Sequence, residues 1–298
     1  MYVLGVVVVL YGIWLVLLYL AQDALVFPAR FAGAPLLQPL PGAELMTLEI
    51  APGQKVEAWF FAPRPGASIA HAAPSLAALR LSGHREIIDP PAAGTPAAHR
   101  APTIIFFHGN AELIDHQWFH VEPYLQMGFA VLVPEYRGYG RSPGRPSQAT
   151  IGADMVRFYD ALVQRPDVDR SRIIFHGRSI GAAIAADLAS KRKPAAMILE
   201  SGPANVTSFA ARFGAPSFLV TNPFRTDRVL PTLGIPMLLM HGSHDGIIPV
   251  SNGRKLHELV PGSTYIELDA DHNDFPGQAN VGAYWQAIAG FLRERLTP

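Results

Sequence analysis

Gly177-Arg178-Ser179-Ile180-Gly181 holds a serine between two glycines, directly after the apolar run 172–175 and directly before the alanine-rich stretch 182–190. A chain that leaves a strand and turns at once into a helix bends sharply at its central residue, and glycine on either side lets the two elements approach. Such a turn lifts the serine oxygen above the edge of a sheet and aims the helix N-terminus at the same place. The chemistry this suits is nucleophilic attack by an alkoxide-like oxygen. A serine hydroxyl is a weak nucleophile near neutral pH and needs a base, and histidine is the side chain whose protonation suits that work.

Of the 11 histidines, His272 is the expected base. It lies in Asp269-Ala270-Asp271-His272-Asn273-Asp274, a polar loop between the run 264–268 and the amphipathic stretch 284–296, where the chain order serine, acid, histidine would put it. The acid is expected after the preceding run, 237–240, and Asp245 in His241-Gly242-Ser243-His244-Asp245 fills that place. A carboxylate there holds the imidazole in one tautomer and stabilises the imidazolium formed during attack. The oxyanion of a tetrahedral intermediate needs two donors. One is the backbone N–H of Ile180; the other is the backbone N–H of Asn110, with Ala111 as the alternative, in the loop His108-Gly109-Asn110-Ala111-Glu112. His108, His176 and His241 each end an apolar run and precede glycine, which suits loop anchoring better than catalysis.

A metal-assisted alternative would use His116 and His120 at i, i+4 with His108 nearby. Two histidines on one helical face are more often surface residues, so no metal is expected. No cofactor is expected either, because the chain has no GxxxxGK[ST] phosphate loop and its glycines are accounted for by turns. The absence of cysteine leaves only oxygen and nitrogen nucleophiles. With 24 acidic and 24 basic residues the formal net charge is zero, so no broad positive field invites nucleic acid.

The elements that must position these residues are legible as short apolar runs at 103–107, 130–133, 172–175, 196–199, 237–240 and 264–268, separated by helix-length segments. That alternation calls for an α/β domain with a mostly parallel sheet and helices on both faces. Before it, 46–50 and 56–61 are β-prone runs around Ala51-Pro52-Gly53-Gln54 and read as an antiparallel hairpin. Residues 2–21 form an uncharged apolar segment long enough to cross a bilayer, and 22–45, with Pro28, Pro35, Pro39 and Pro41, read as an extended membrane-proximal strap. A cleaved signal peptide fits less well, because the apolar run is long and Tyr19-Leu20-Ala21 is a poor cleavage site. The domain proper is expected over 46–298, with an Ala/Pro-rich inserted loop at 63–102, in which 76–81 could form one helix, and a small lid at 202–235 carrying Phe209, Phe213, Phe218, Leu219 and Phe224. Orientation in the membrane is weakly encoded; the extracytoplasmic side is the expectation. Nothing in the chain speaks to its oligomeric state.

Leu25-Val26-Phe27-Pro28, His108-Gly109-Asn110-Ala111, Tyr136-Arg137-Gly138-Tyr139-Gly140-Arg141-Ser142, the serine turn and the stretch from His241-Gly242 through Asp245 to Pro249 together resemble the membrane-anchored, bud-emergence-type branch of the α/β-hydrolases, which is related to protein depalmitoylases and lipases. The resemblance runs from the apolar segment to the C-terminus. It implies the α/β-hydrolase fold, a serine hydrolase acting on esters or thioesters of lipid or acylated substrates, and Ser179, Asp245 and His272 in the roles assigned above. A serine peptidase of the same fold and a catalytically inactive binding protein are the alternatives. Four departures stand out: Glu135 in place of an aspartate, Ala182 in place of a second glycine, Asp271 in a usual glycine position, and the length of 63–102.

Overall fold

A computed structural model describes residues 2–69 and 100–296. Most of the expected 63–102 insertion, including the stretch 76–81, lies outside the described residues.

Eight strands form one sheet in the order β1-β2-β4-β3-β5-β6-β7-β8. They are β1 (Ala43–Ala51), β2 (Gln54–Phe61), β3 (Ala101–Phe107), β4 (Ala130–Pro134), β5 (Val168–Arg178), β6 (Ala196–Glu200), β7 (Met237–Gly242) and β8 (Thr264–Leu268). The hairpin β1–β2 is antiparallel and joins antiparallel to β4; every other pairing is parallel. The helices are α1 (Tyr2–Val26), α2 (Trp118–Gln126), α3 (Gln148–Leu162), α4 (Ile180–Ala189), α5 (Thr226–Leu233), α6 (Ser251–Leu259) and α7 (Val281–Leu296).

The continuous apolar runs of the central strands follow from burial on both faces. Along β3, Ile105 and Phe107 point into one core and Ile104 and Phe106 into the other. The first core is closed by α3, α4, α5 and α6 through Ile151, Phe158, Ile184, Leu230 and Leu256. The second is closed by α2 and α7 through Val121, Tyr124, Trp285 and Leu292. Helices on both faces leave the carboxyl ends of the parallel strands free to carry loops, and that edge is where β3, β5, β7 and β8 deliver the residues singled out above.

Two boundaries differ from expectation. Helix α1 runs past residue 21 to Val26, so the first part of the expected strap is helical; its prolines begin only at Pro28, and a short 3-10 turn follows at Ala29–Phe31. Within 202–235, only the part up to Leu219 forms short 3-10 segments, Thr207–Phe213 and Ser217–Leu219. The remainder supplies α5, whose Leu230 and Leu233 are buried in the domain core.

Candidate active site

Ser179 sits between β5 and α4 with φ +55 and ψ −122, a backbone conformation that side chains rarely adopt and that neighbouring structure must enforce. Its N–H donates to the Glu200 carbonyl at the end of β6 (2.9 Å), and its own carbonyl accepts from Ala182 (3.1 Å). The two flanking glycines are required by contact. A Cβ on Gly177 would strike the Gly181 carbonyl and lie 2.6 Å from the Ala182 Cα, and one on Gly181 would strike the carbonyl of Phe107 and lie 2.6 Å from that of His108. The first turn of α4 therefore abuts the end of β3, bringing Ile180 next to the loop that holds Asn110 and Ala111. Ala182, the departure from the expected second glycine, is accommodated because Gly202 faces it: a Cβ there would lie 2.6 Å from that of Ala182.

His272, on the loop after β8, is buried and places Nε2 2.9 Å from Ser179 Oγ and Nδ1 2.7 Å from Asp245 Oδ2. Asp245 lies on the loop after β7, and its Oδ1 accepts from the N–H groups of Ile247 (3.0 Å) and Ile248 (2.7 Å). Burial by itself would push the Asp245 carboxyl up, but hydrogen bonding to His241 and His272, attraction to His272 and donation by Ile248 outweigh it and hold the group well below the usual carboxylate range. The Asp245 carboxyl therefore stays ionised at neutral pH and accepts from Nδ1–H, with Nε2 turned toward the Ser179 hydroxyl. Asp271 takes its position without a positive φ, and its Oδ1 accepts the Gly246 N–H (3.4 Å), which links the loops of Asp245 and His272.

Of the oxyanion candidates, Ile180 begins α4 while Asn110 and Ala111 follow β3. Ala111 has φ +56, and the Asn110 side chain is fixed on both sides: its amide donates to the Val26 carbonyl (2.8 Å) and its oxygen accepts from Tyr139 Oη (3.1 Å).

The three strand-ending histidines are anchors, as expected. His108 places Nδ1 2.9 Å from the Gly109 carbonyl and Nε2 2.9 Å from Glu135 Oε1. The Gly109 carbonyl can only accept, so Nδ1 carries a proton, and a second proton on Nε2 would pair the charged ring with Glu135. Burial works against that charge, yet the Glu135 carboxylate prevails and the His108 pKa is raised. The longer glutamate at 135 also accepts the N–H groups of Ile114 (3.3 Å) and Tyr136 (3.1 Å), which accounts for the departure from aspartate. His176 pairs with Tyr124 Oη at 2.8 Å, and His241 with the Ile248 carbonyl at 2.8 Å.

His116 and His120 do not share a surface face. His116 closes the 3-10 turn Ile114–His116 and is exposed, whereas His120 lies in α2, buried and stacked on Phe106 at 4.3 Å, with Nε2 3.4 Å from Glu200 Oε1. The i, i+4 spacing missed this because the helix starts only at Trp118. Among the described residues no three His, Cys, Asp or Glu side chains come together as metal ligands.

One functional pairing, Arg178 with Glu112, is not among the residues the sequence singles out. Arg178 donates Nη2 to the His272 carbonyl (2.8 Å), and its Nη1 pairs with Glu112, whose Oε2 accepts the Gly109 N–H (3.0 Å). A single guanidinium beside the serine thus ties the loop of the base to the loop of the expected oxyanion donors. A charged residue inside a glycine-flanked turn at the end of a buried strand was the available signal.

Residues 102–223 match the family described as alpha/beta hydrolase fold. The chain is 30% identical over 222 residues to the alpha/beta hydrolase domain-containing protein WAV2 of Arabidopsis thaliana, covering 67% of this chain and 72% of that protein. It is also 30% identical over 215 residues to the uncharacterized protein YfhR of Escherichia coli O157:H7, covering 70% and 76%. Among solved structures it is similar to Est1E from Butyrivibrio proteoclasticus, with ferulic acid bound, at TM-score 0.64 and 15% identity over 84% of this chain and 99% of that one. It is likewise similar to a puromycin-hydrolyzing peptidase of Mycobacterium tuberculosis, at TM-score 0.62 and 18% identity; 88% of this chain is covered but only 40% of the peptidase. At such identities the structures share the fold alone. With strand order, sequence relatives and structural neighbours in agreement, the chain belongs to the α/β-hydrolase family.

Proposed function

We propose that the protein is a serine hydrolase that cleaves carboxylic ester or thioester bonds of lipid or acylated substrates through an acyl-enzyme. Membership of a hydrolase family supports hydrolysis, and the observation that carries the finer reading is the hydrogen-bonded chain from Asp245 through His272 to Ser179. Ser179 Oγ attacks the acyl carbon as its proton passes to His272 Nε2. The tetrahedral oxyanion is met by the backbone N–H of Ile180 and that of Asn110 or Ala111. His272 then returns the proton to the departing alcohol or thiol, and water repeats the sequence to free the acid and restore the serine.

A membrane location rests on α1, an apolar helix of 25 residues that contains an 18-residue window of mean hydropathy 2.7 and is, at ~1.5 Å per residue, longer than a ~30 Å hydrocarbon core. An enzyme held there meets lipids and lipidated proteins more often than freely soluble peptides, which favours ester and thioester substrates over amides.

The deciding experiment is labelling of the full chain with a fluorophosphonate, alongside turnover of an ester, a thioester and a peptide amide with and without a chelator. Labelling that disappears in Ser179→Ala, with chelator-resistant ester or thioester turnover, is expected. Turnover without labelling, or preference for the amide, would replace this reading.

Arg178→Gln is expected to lower kcat by about 10–100-fold with KM little changed, because a loop displaced by an ångström misaligns base and donors together. Arg178→Lys should recover little, since an ammonium lacks the fork that spans both loops. Steady-state kinetics with a thermal melt checks this; a fall in melting temperature with kcat intact would reduce Arg178 to a structural tie.

A further inference from the structure

A cleft that encloses about 570 Å³ when the solvent-open part is counted separates α1 from the two 3-10 segments of residues 207–219. One wall is a single stripe of α1, where Leu15, Leu18, Gln22 and Val26 recur at helical spacing; Phe209 and Ala210 stand on the other. Side-chain hydrogen bonds hold the walls together. Tyr11 Oη donates to the Gly214 carbonyl (2.7 Å), Trp14 Nε1 to the Phe213 carbonyl (2.9 Å), the Thr221 N–H to Gln22 Oε1 (2.7 Å), and Asn222 Nδ2 to Asp23 Oδ1 (2.8 Å).

The cleft reaches Val26 and Val206, whose segments touch residues next to Ser179 and the 108–111 loop. The Val26 carbonyl accepts from Asn110 of the expected oxyanion loop. Val206 follows Gly202, where an added Cβ would lie 3.7 Å from the Ser179 carbonyl oxygen. Apart from Tyr19 and Gln22 the lining is apolar, and the Gln22 amide is already engaged with backbone groups of the facing wall, donating to the Leu219 carbonyl (3.3 Å) as well as accepting from Thr221. A polar ligand or a peptide would lose its hydrogen bonds to water and find few in return.

We propose that this cleft receives the acyl chain of the substrate and that α1 is a wall of the binding site as well as an anchor. The proposal rests on the reading of Ser179 as an acyl-transferring nucleophile. From Val26 to Leu15 the stripe runs ~16 Å along the helix, a long slot rather than a compact pocket. The opposite faces of α1 are exposed and apolar, Val16 and Leu17 among them, and Phe218 of the facing wall is 83% exposed. With α1 in a bilayer, the Phe213–Gly214 turn bonded to Tyr11 and Trp14 lies alongside the middle of the span, so the open side of the slot faces the leaflet and a chain enters laterally.

The test uses the full chain in detergent micelles with 4-nitrophenyl acetate and palmitate. Ala210→Phe and, independently, Leu18→Phe fill the slot, and each should lower the palmitate-to-acetate ratio of kcat/KM by about 10-fold or more. Val16→Phe, on the outer face of α1, should leave that ratio unchanged. A ratio unmoved by both slot variants, or moved as much by Val16→Phe, overturns the proposal. A wild type that hydrolyses neither ester marks the failure of the Ser179 reading instead. A second measurement then decides the slot: crosslinking of a diazirine-bearing fatty acid, mapped by mass spectrometry. Labelling at 15–26 and 206–220 that palmitate competes away and Ala210→Phe abolishes supports the slot; labelling indifferent to both removes it.

Discussion

His272→Ala is expected to slow ester or thioester turnover by about 10⁴–10⁶-fold at neutral pH while the protein stays folded. Both ring nitrogens are committed, one to Asp245 and one to Ser179, so under the proposed mechanism the substitution removes the acceptor of the serine proton and the donor to the leaving group at one stroke. The loop that carries the ring is held through its backbone, by Arg178 on the His272 carbonyl, and through the Asp271 carboxylate on Gly246; neither contact needs the imidazole. The double variant with Ser179→Ala should lose no more than either single one, because groups that act as a unit fail as a unit. Multiplicative losses, or a single loss below about 10-fold, would mean that some other group deprotonates the serine. Stopped-flow acylation and a thermal melt on the same preparations separate chemistry from folding.

The sequence carried more of this site than of its surroundings, for physical reasons. Strands buried on both faces must be apolar along their length, so β3 to β7 stood out as runs, and the loops at their ends were located with them. Gly177 and Gly181 were legible because a Cβ at either position meets backbone, a constraint that no neighbour can relieve by moving aside. The hairpin β1–β2 was marked by its turn, and Gly53 duly adopts φ +72. Contacts set by long-range folding were not legible. Nothing in Glu112 or Arg178 announces that they meet, since their partnership exists only once β3 and β5 are neighbours. The same holds for α1, which reads in the sequence as a membrane anchor: its Tyr11, Trp14 and Gln22 bond to a segment about two hundred positions away. Phe224 was assigned to the lid by composition, but it packs in the core against Phe27, because the chain re-enters the domain before α5.

Asp245→Asn should cost about 10⁴-fold in kcat with little change in KM, through the tautomer of the base rather than through its position. Oδ1 of Asp245 is taken by the N–H groups of Ile247 and Ile248, so an asparagine would keep its oxygen there and turn its NH2 toward His272 Nδ1. Facing a donor, Nδ1 must accept, the ring proton moves to Nε2, and Nε2 can no longer receive the proton of Ser179. The same substitution has a stability signature. Because the folded Asp245 carboxyl is held well below its unfolded value of about 3.9, the wild type gains stability above that pH and loses it as pH falls below about 4 toward the folded value. Urea unfolding should therefore show the wild type ahead of Asp245→Asn from about pH 5 upward, with the gap closing below about pH 4. A gap that persists undiminished at low pH would mean that the carboxylate's charge is not what the loop depends on. Activity retained within about 10-fold would mean that the His272 tautomer is set by a group other than Asp245.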